Sequence, residues 1–231
     1  MEKKKIMALG FFDGVHRGHA ELLRTAKRMA AAAGMEAEAV SFAEHPSVIL
    51  QGQSVPLLST QQERKELIEA LGVSVRFLPF DETMREKAWD AFLQELTESG
   101  AGGFAVGYDF RFGYRGEGDA EKMADWCAER GLLFSRVDAV RYGGEPISSS
   151  RIRALLAAGA VGEAVELLGH GQLYCGETSS GLLSWKPGMQ TLPQGEYIVR
   201  LEPEILTVRA DRWGLWLPVF GNFSAYVEEE A

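Results

Sequence analysis

Cysteine is nearly absent from this chain, with Cys127 and Cys175 the only two in 231 residues. They stand in unrelated contexts and form neither a metal motif nor a redox motif. That excludes a disulfide scaffold and makes a reducing cytoplasm the expected setting. No run of 18 apolar residues occurs, so no membrane span is expected. Positive charge is also in short supply: 24 lysines and arginines face 33 aspartates and glutamates, a net charge of −9. A general nucleic-acid surface needs a basic face, so nucleic acid is not an expected partner. Any polyanion bound here must meet a local cluster of donors and not a global field. The start, Met1-Glu2-Lys3-Lys4-Lys5, is basic like the head of a signal peptide. The apolar run after it is short and lacks a small-residue cleavage site, so no targeting segment is expected.

What is present is a hydrophobic content of 46%, enough for one good-sized core or one core with a small satellite domain. From the start to about Gly169, short apolar strands alternate with amphipathic helices. Strands are expected at Lys5–Leu9, Ala37–Phe42, Val73–Leu78, Phe104–Val106 and Leu132–Val137. Helices are expected at Gly18–Ala33, from a Thr60/Glu63 capping box to about Leu71, and at Ala88–Glu98 and Asp119–Arg130. Gly143-Gly144 marks a hairpin turn, and Ser149–Ala158 and Val161–Leu168 follow as two short helices. Such alternation predicts an α/β fold, a parallel sheet with helices on both faces, which binds ligands at the carboxyl ends of its strands. Residues 171–231 differ. They hold Trp185, Trp213 and Trp216, and strand patterns at Tyr197–Leu201, Ile205–Ala210 and Leu215–Val219 predict a small β domain. Glu228–Glu230 reads as a solvated tail. The expected division is therefore 1–170 and 171–231.

Four segments carry chemistry. Gly10-Phe11-Phe12-Asp13-Gly14-Val15-His16-Arg17-Gly18-His19 follows the first strand and opens a helix. Its glycines permit a sharp turn and close approach of a ligand, and the helix start offers unpaired N–H groups to a phosphate. His16 and His19, three apart, can point the same way. They supply only two ligands, a poor set for zinc. A plain strand–helix turn with two surface histidines is the blander alternative. Ile147-Ser148-Ser149-Ser150-Arg151-Ile152-Arg153 precedes an apolar helix. Ser149 or Ser150 can cap it, and hydroxyls and guanidinium groups there can hold a phosphate. Val106–Gly113 follows the fourth strand, with Gly107 and Asp109 where a base or ribose could lie. Phe42-Ala43-Glu44-His45-Pro46 follows the second strand, and His45 could contact a ligand phosphate or be purely structural.

Together these segments, in this order, resemble the FAD synthetase (FMN adenylyltransferase) module of the prokaryotic riboflavin kinase/FAD synthetase family. The likeness covers about residues 5–170, with Ala158-Gly159 and Leu167-Leu168-Gly169 resembling the module's end. Glu44 stands where the family usually has proline, and Phe11 where a polar residue is frequent. Gly171-Gln172 follows His170 where the family tends to have Arg-Pro-Tyr. The resemblance implies a Rossmann-like sheet of the HxGH nucleotidylyltransferases and the reaction of ATP with FMN to give FAD and pyrophosphate, with Mg²⁺. It implies ATP-phosphate roles for His16, His19, Ser149, Ser150 and Arg153, and ATP contacts for Gly10, Phe11, Phe12, Gly18, Ile147, Ser148 and Arg151. Gly107 and Asp109 fall on the adenosine side, and Asp13, Phe42, His45 and Pro46 on the acceptor side. The family's kinase barrel carries a Gly-Phe-Pro-Thr-Ala-Asn stretch that this chain lacks. Leu192–Arg200 resembles one strand segment of that barrel, so residues 171–231 look like a reduced kinase-type domain without kinase activity. Another phosphorylated acceptor, CTP as donor, or a non-catalytic flavin-nucleotide-binding protein remain alternatives. Oligomeric state is not legible.

Overall fold

A computed structural model describes residues 4–47, 55–178, 180–219 and 221–231. Residues 1–3, the first part of the basic start, lie outside them. The chain divides into two compact units, one of residues 1–12, 18–54 and 65–140, the other of 13–17, 55–64 and 141–231.

The first unit is a five-stranded sheet of parallel strands β1 (Lys5–Leu9), β2 (Glu36–Phe42), β3 (Ser74–Leu78), β4 (Ala101–Gly107) and β5 (Leu133–Val137), in the order β3-β2-β1-β4-β5. Strand order therefore reverses between β1 and β4, the position where doubly wound sheets open a ligand crevice. β1 reads as a continuous apolar run because both its faces are covered. Met7 and Leu9 join a core with Phe92, Leu93, Leu96, Phe104, Val106, Met123 and Cys127, while Ile6 and Ala8 are as deeply buried on the opposite face. Helix α1 (Arg17–Ala33) buries Leu22, Leu23, Ala26 and Ala30 at helical spacing. α4 (Trp89–Glu98) and α5 (Ala120–Arg130) supply the helical half of the core. Asp119 caps α5 by accepting from the amides of Glu121 and Lys122, and Gly131 ends it in the left-handed region.

β4 is longer than the expected Phe104–Val106 because its first half is a glycine pair without hydrophobic pattern. A Cβ on Gly103 would lie 2.4 Å from the Leu133 carbonyl oxygen, so the pairing with β5 requires glycine there. A five-residue helix, α3 (Glu82–Glu86), capped by Asp81, was not legible from a segment with no buried face.

The second unit contains the hairpin β6 (Arg141–Tyr142) and β7 (Glu145–Pro146), turned by Gly143-Gly144 as the sequence predicts. Helices α6 (Ser149–Ala157) and α7 (Val161–Leu168) follow. Then come six antiparallel strands, β8 (Gln172–Thr178), β9 (Leu182–Ser184), β10 (Gly195–Leu201), β11 (Glu204–Asp211), β12 (Gly214–Trp216) and β13 (Gly221–Glu230), in the order β8-β13-β10-β11-β12-β9. Two expectations change. β12 stops at Trp216, two residues before Pro218, which has no N–H to extend a ladder. Glu228–Glu230 is not a free tail but the end of β13, where Glu229 and Glu230 pair with β10 and Glu228 bonds Arg200 at 3.0 Å.

The predicted capping box opens helix α2 (Gln61–Ala70): Thr60 N donates to Glu63 at 2.7 Å, and Glu63 N to Thr60 Oγ1 at 3.2 Å. Glu63 also accepts from the Cys175 amide at 2.7 Å and is 1% exposed. One carboxylate thus fixes a helix start and the strand β8. Glu63→Ala removes the acceptor for two amides, and we expect a loss of roughly 2–4 kcal/mol of stability. Urea unfolding checks this. An unchanged midpoint would show that the box contributes nothing beyond local helix geometry.

Candidate active site

Within the first unit, the turn after β1 is set by close contacts. Gly10 N donates to Val40 O at 3.3 Å, and a Cβ on Gly10 would lie 3.0 Å from the Phe12 ring. Phe12 is buried with φ of +60°, a conformation a bulky residue rarely adopts and one that stores strain. Its ring stands edge-on to His19 at 5.4 Å. Phe11 accepts at its carbonyl from Ser41 Oγ, 2.9 Å, and meets the His45 ring edge-on at 4.6 Å. Ser47 N donates to His45 Nδ1 at 3.1 Å, so Nδ1 is the acceptor and the ring proton sits on Nε2. Gly107 ends β4, and its carbonyl accepts from Phe110 N at 3.2 Å to form the turn that carries Asp109.

These turns border a cavity of about 630 Å³. Gly10, Phe11, Phe42, Pro46 and Asp109, all named from the sequence, line it. Phe80, Met84, Phe92, Phe110 and Phe112 add apolar surface, and Arg85, Lys87, Arg111 and Arg115 add positive charge. The rings of Phe110 and Phe112 stack at 5.5 Å. Such a space suits a flat aromatic ligand that bears negative charge or carbonyl oxygens. Arg85, Lys87 and Arg115 were missed in the sequence because no spacing links them to a motif. Only the fold brings residues 85–87 and 115 to one wall.

Within the second unit, Asp13 is the hub. It is 3% exposed, and its Oδ1 accepts from the amides of Leu58 at 2.9 Å and Ser59 at 3.1 Å. Its Oδ2 pairs with Arg153 at 2.9 Å. Burial pushes its carboxyl above the usual carboxylate range, against the opposing pull of those amides and of Arg153 and Arg64. Gly14 N donates to Ser59 Oγ at 2.8 Å, and the Gly14 carbonyl lies 3.0 Å from His170 Nε2. Ser148, not Ser149 or Ser150, caps α6: its side chain accepts from Arg151 N. The extended backbone at residue 148 makes it the last non-helical position, which leaves its neighbours free for other bonds. Ser149 Oγ donates to Asp13 O at 3.0 Å, and Ser150 Oγ accepts from Arg153 at 3.0 Å. Arg151 is held by Tyr142 O at 2.9 Å and Glu163 at 3.2 Å. Ile147 is buried.

His16 is also buried in this unit, and burial lowers its pKa to about 4, with a smaller push from His170. It is therefore a neutral donor or acceptor near pH 7 and not a cation. Among the described residues, no group of three or more His, Cys, Asp or Glu could hold a metal ion.

The parallel sheet with reversed strand order, opened by a glycine turn, defines the Rossmann-like α/β class. A crystal structure titled as a macrolide-efflux protein from Streptococcus pneumoniae matches the whole chain and 95% of its own, with a TM-score of 0.85 at 22% identity, a likeness of fold. The FAD synthetase family model matches residues 1–151, and the chain belongs to that family. It is 32% identical over 170 residues to a bifunctional riboflavin kinase/FMN adenylyltransferase of Listeria monocytogenes, covering 72% of this chain and 54% of that protein. It is 35% identical over 166 residues to a putative bifunctional riboflavin kinase/FMN adenylyltransferase of Geobacillus thermodenitrificans, covering 71% and 89%. A Listeria protein named FAD synthetase is 29% identical, covering 76% and 73%. The chain thus spans about half the length of the first of these relatives. Among the described residues, no helix is long and apolar enough to cross a membrane.

The His16 environment makes stability depend on pH. A histidine near pKa 4 when folded and about 6.5 when unfolded binds protons more readily in the unfolded chain. Its contribution is full above pH 6.5 and lost as pH falls toward 4, up to roughly 3 kcal/mol. Asp13, raised in the folded state, acts with the opposite sign. The difference between wild type and His16→Gln therefore isolates the histidine. We expect chemical denaturation between pH 7 and 4.5 to show a flatter slope in the variant, whereas parallel slopes would place no proton linkage on His16.

Proposed function

We propose that this chain is an FMN adenylyltransferase, which joins ATP and FMN to give FAD and pyrophosphate. The observation that carries it is the phenylalanine-lined, cation-bearing cavity, which begins at Gly10 of the first motif. An isoalloxazine ring can lie among Phe11, Phe42, Phe80 and Phe110 with its phosphate toward the β1 turn. Family membership supports the same reaction. A phosphate oxygen of FMN attacks the α-phosphorus of ATP. The bond from that phosphorus to the bridging oxygen of the β-phosphate breaks, and pyrophosphate leaves. The nucleophile is already an anion, so the chain needs no strong general base; it aligns the reactants and neutralises the leaving group. Magnesium ion enters with ATP as its phosphate complex, as part of the substrate.

We assign His19 and the amides at the start of α1 to ATP phosphate, Gly107 and Asp109 to the adenosine side, and Phe42, His45 and Pro46 to the acceptor. His16, Ser149, Ser150 and Arg153 stay proposed phosphate donors, and the cytoplasm stays the proposed compartment. Glu44 is exposed, which leaves its carboxylate in water and lessens its repulsion of a bound phosphate. We also propose that the β sheet of the second unit has no riboflavin kinase activity. Lys186, a lysine of that unit, donates to Cys175 O at 2.6 Å and lies 3.7 Å from Glu63, which ties it up within the protein.

Incubation with ATP, Mg²⁺ and FMN should yield FAD by chromatography, and riboflavin in place of FMN should yield no FMN above a heat-killed control. FAD absent at high enzyme concentration would remove the acceptor assignment, and FMN formed from riboflavin would reveal a kinase site. His19→Ala should keep the fold and slow FAD formation about 10²–10³-fold, the scale for one charge-stabilising donor. A folded variant with wild-type turnover would remove His19 from the reaction.

A further inference from the structure

Arg115 is strained and, among the described residues, lacks an acidic partner. Its φ is +52°, in a loop where Gly113 and Gly116 also lie in the left-handed region. Glycines adopt that region freely; an arginine does so at an energetic cost that a surface loop has no reason to keep. Arg115 lines the same cavity as Phe110, Phe112 and Met84. Among the described residues, the other three cations of that lining each have a carboxylate: Arg85 lies 3.0 Å from Glu82, Lys87 pairs with Glu95, and Arg111 lies 3.3 Å from Asp119. Arg115 has only the Tyr114 ring, 5.0 Å from its guanidinium carbon. A cation–π contact of this kind is weak at an exposed site and leaves the in-plane N–H groups available.

We propose that Arg115 is a specificity residue for the acceptor, held in the left-handed conformation so that its guanidinium reads the carbonyl-bearing edge of the flavin ring. This rests on the FMN reading above. A flavin presents a ring nitrogen and a carbonyl oxygen side by side on that edge, two acceptors spaced for the fork of an arginine. The ring and not the phosphate is the target, because Arg115 sits in the loop that the Phe112–Gly118 pairing closes, beside the stacked phenylalanines in the chain, whereas the phosphate must reach the β1 turn for transfer. Recognition of the ring edge lets the site reject phosphorylated compounds that lack it, since they leave a desolvated guanidinium without an acceptor.

The test uses Arg115→Gly, which removes the fork and relieves the strain, and Arg115→Lys, which keeps the charge without the fork. Flavin fluorescence quenching gives Kd for FMN and for riboflavin, which lacks the phosphate. We expect Arg115→Gly to weaken both about 10- to 100-fold, to leave KM for ATP unchanged and to keep or raise the melting temperature. Arg115→Lys should recover only part of the affinity. Weakened FMN binding with unchanged riboflavin binding would assign Arg115 to the phosphate and overturn the proposal. So would unchanged affinity for both flavins, or a melting temperature lowered by several degrees, which marks a structural residue. A wild-type protein that binds neither flavin would overturn the acceptor reading itself together with this one.

Discussion

The buried carboxylate of Asp13 is the constraint on which the arrangement of the second unit depends. An uncompensated carboxylate at that depth would cost several kcal/mol. Two amides of the Leu58-Ser59 segment and the guanidinium of Arg153 compensate it. Three stretches far apart in sequence are thereby joined at one side chain: the glycine turn, the approach to α2 and the first turn of α6. Ser149 and Gly14 reinforce the same junction through backbone bonds. Arg153 is consequently oriented by Asp13 on one side and Ser150 on the other, which restricts its rotamers before any ligand arrives.

The same motif concentrates strain. Among the described residues, three non-glycine residues have positive φ, and two of them, Phe12 and Val15, flank Asp13 and Gly14. The third is Arg115. Strain of this kind persists only where surrounding structure over-determines it. Around Phe12 that support is visible: the ring is buried, stands against Gly10 and meets the edge of His19. The turn is therefore shaped before ligand binding, as the in-line transfer proposed for it would require.

Much of the first unit was legible because its elements follow simple periods. β1 is a continuous apolar run, α1 repeats its apolar residues every three or four, and Asp119 announces a helix start by side-chain chemistry, as Thr60/Glu63 do in the second unit. The glycine pair in β4, the short helix α3 and the strand β13 were obscured. Gly103 carries no pattern, α3 has no buried face, and β13 ends in three glutamates that look like a tail. Of the site, the residues on motifs were visible and those supplied by folding were not. Nothing local marks Arg85, Lys87, Arg115 or the His170 contact with Gly14, because each depends on a partner tens of residues away or on a loop conformation. Likewise Ser148 could not be told from Ser149 as the cap, since three consecutive serines have the same propensity and only backbone dihedrals separate them.

The central claim is that the phenylalanine-lined cavity of the first unit receives the flavin ring. A crystal structure grown with FMN and a non-hydrolysable ATP analogue tests it most directly. The account predicts the isoalloxazine between Phe11, Phe42, Phe80 and Phe110, with the phosphate directed toward Gly10. Flavin density outside that cavity, or an ordered ATP analogue filling it in place of FMN, would contradict it.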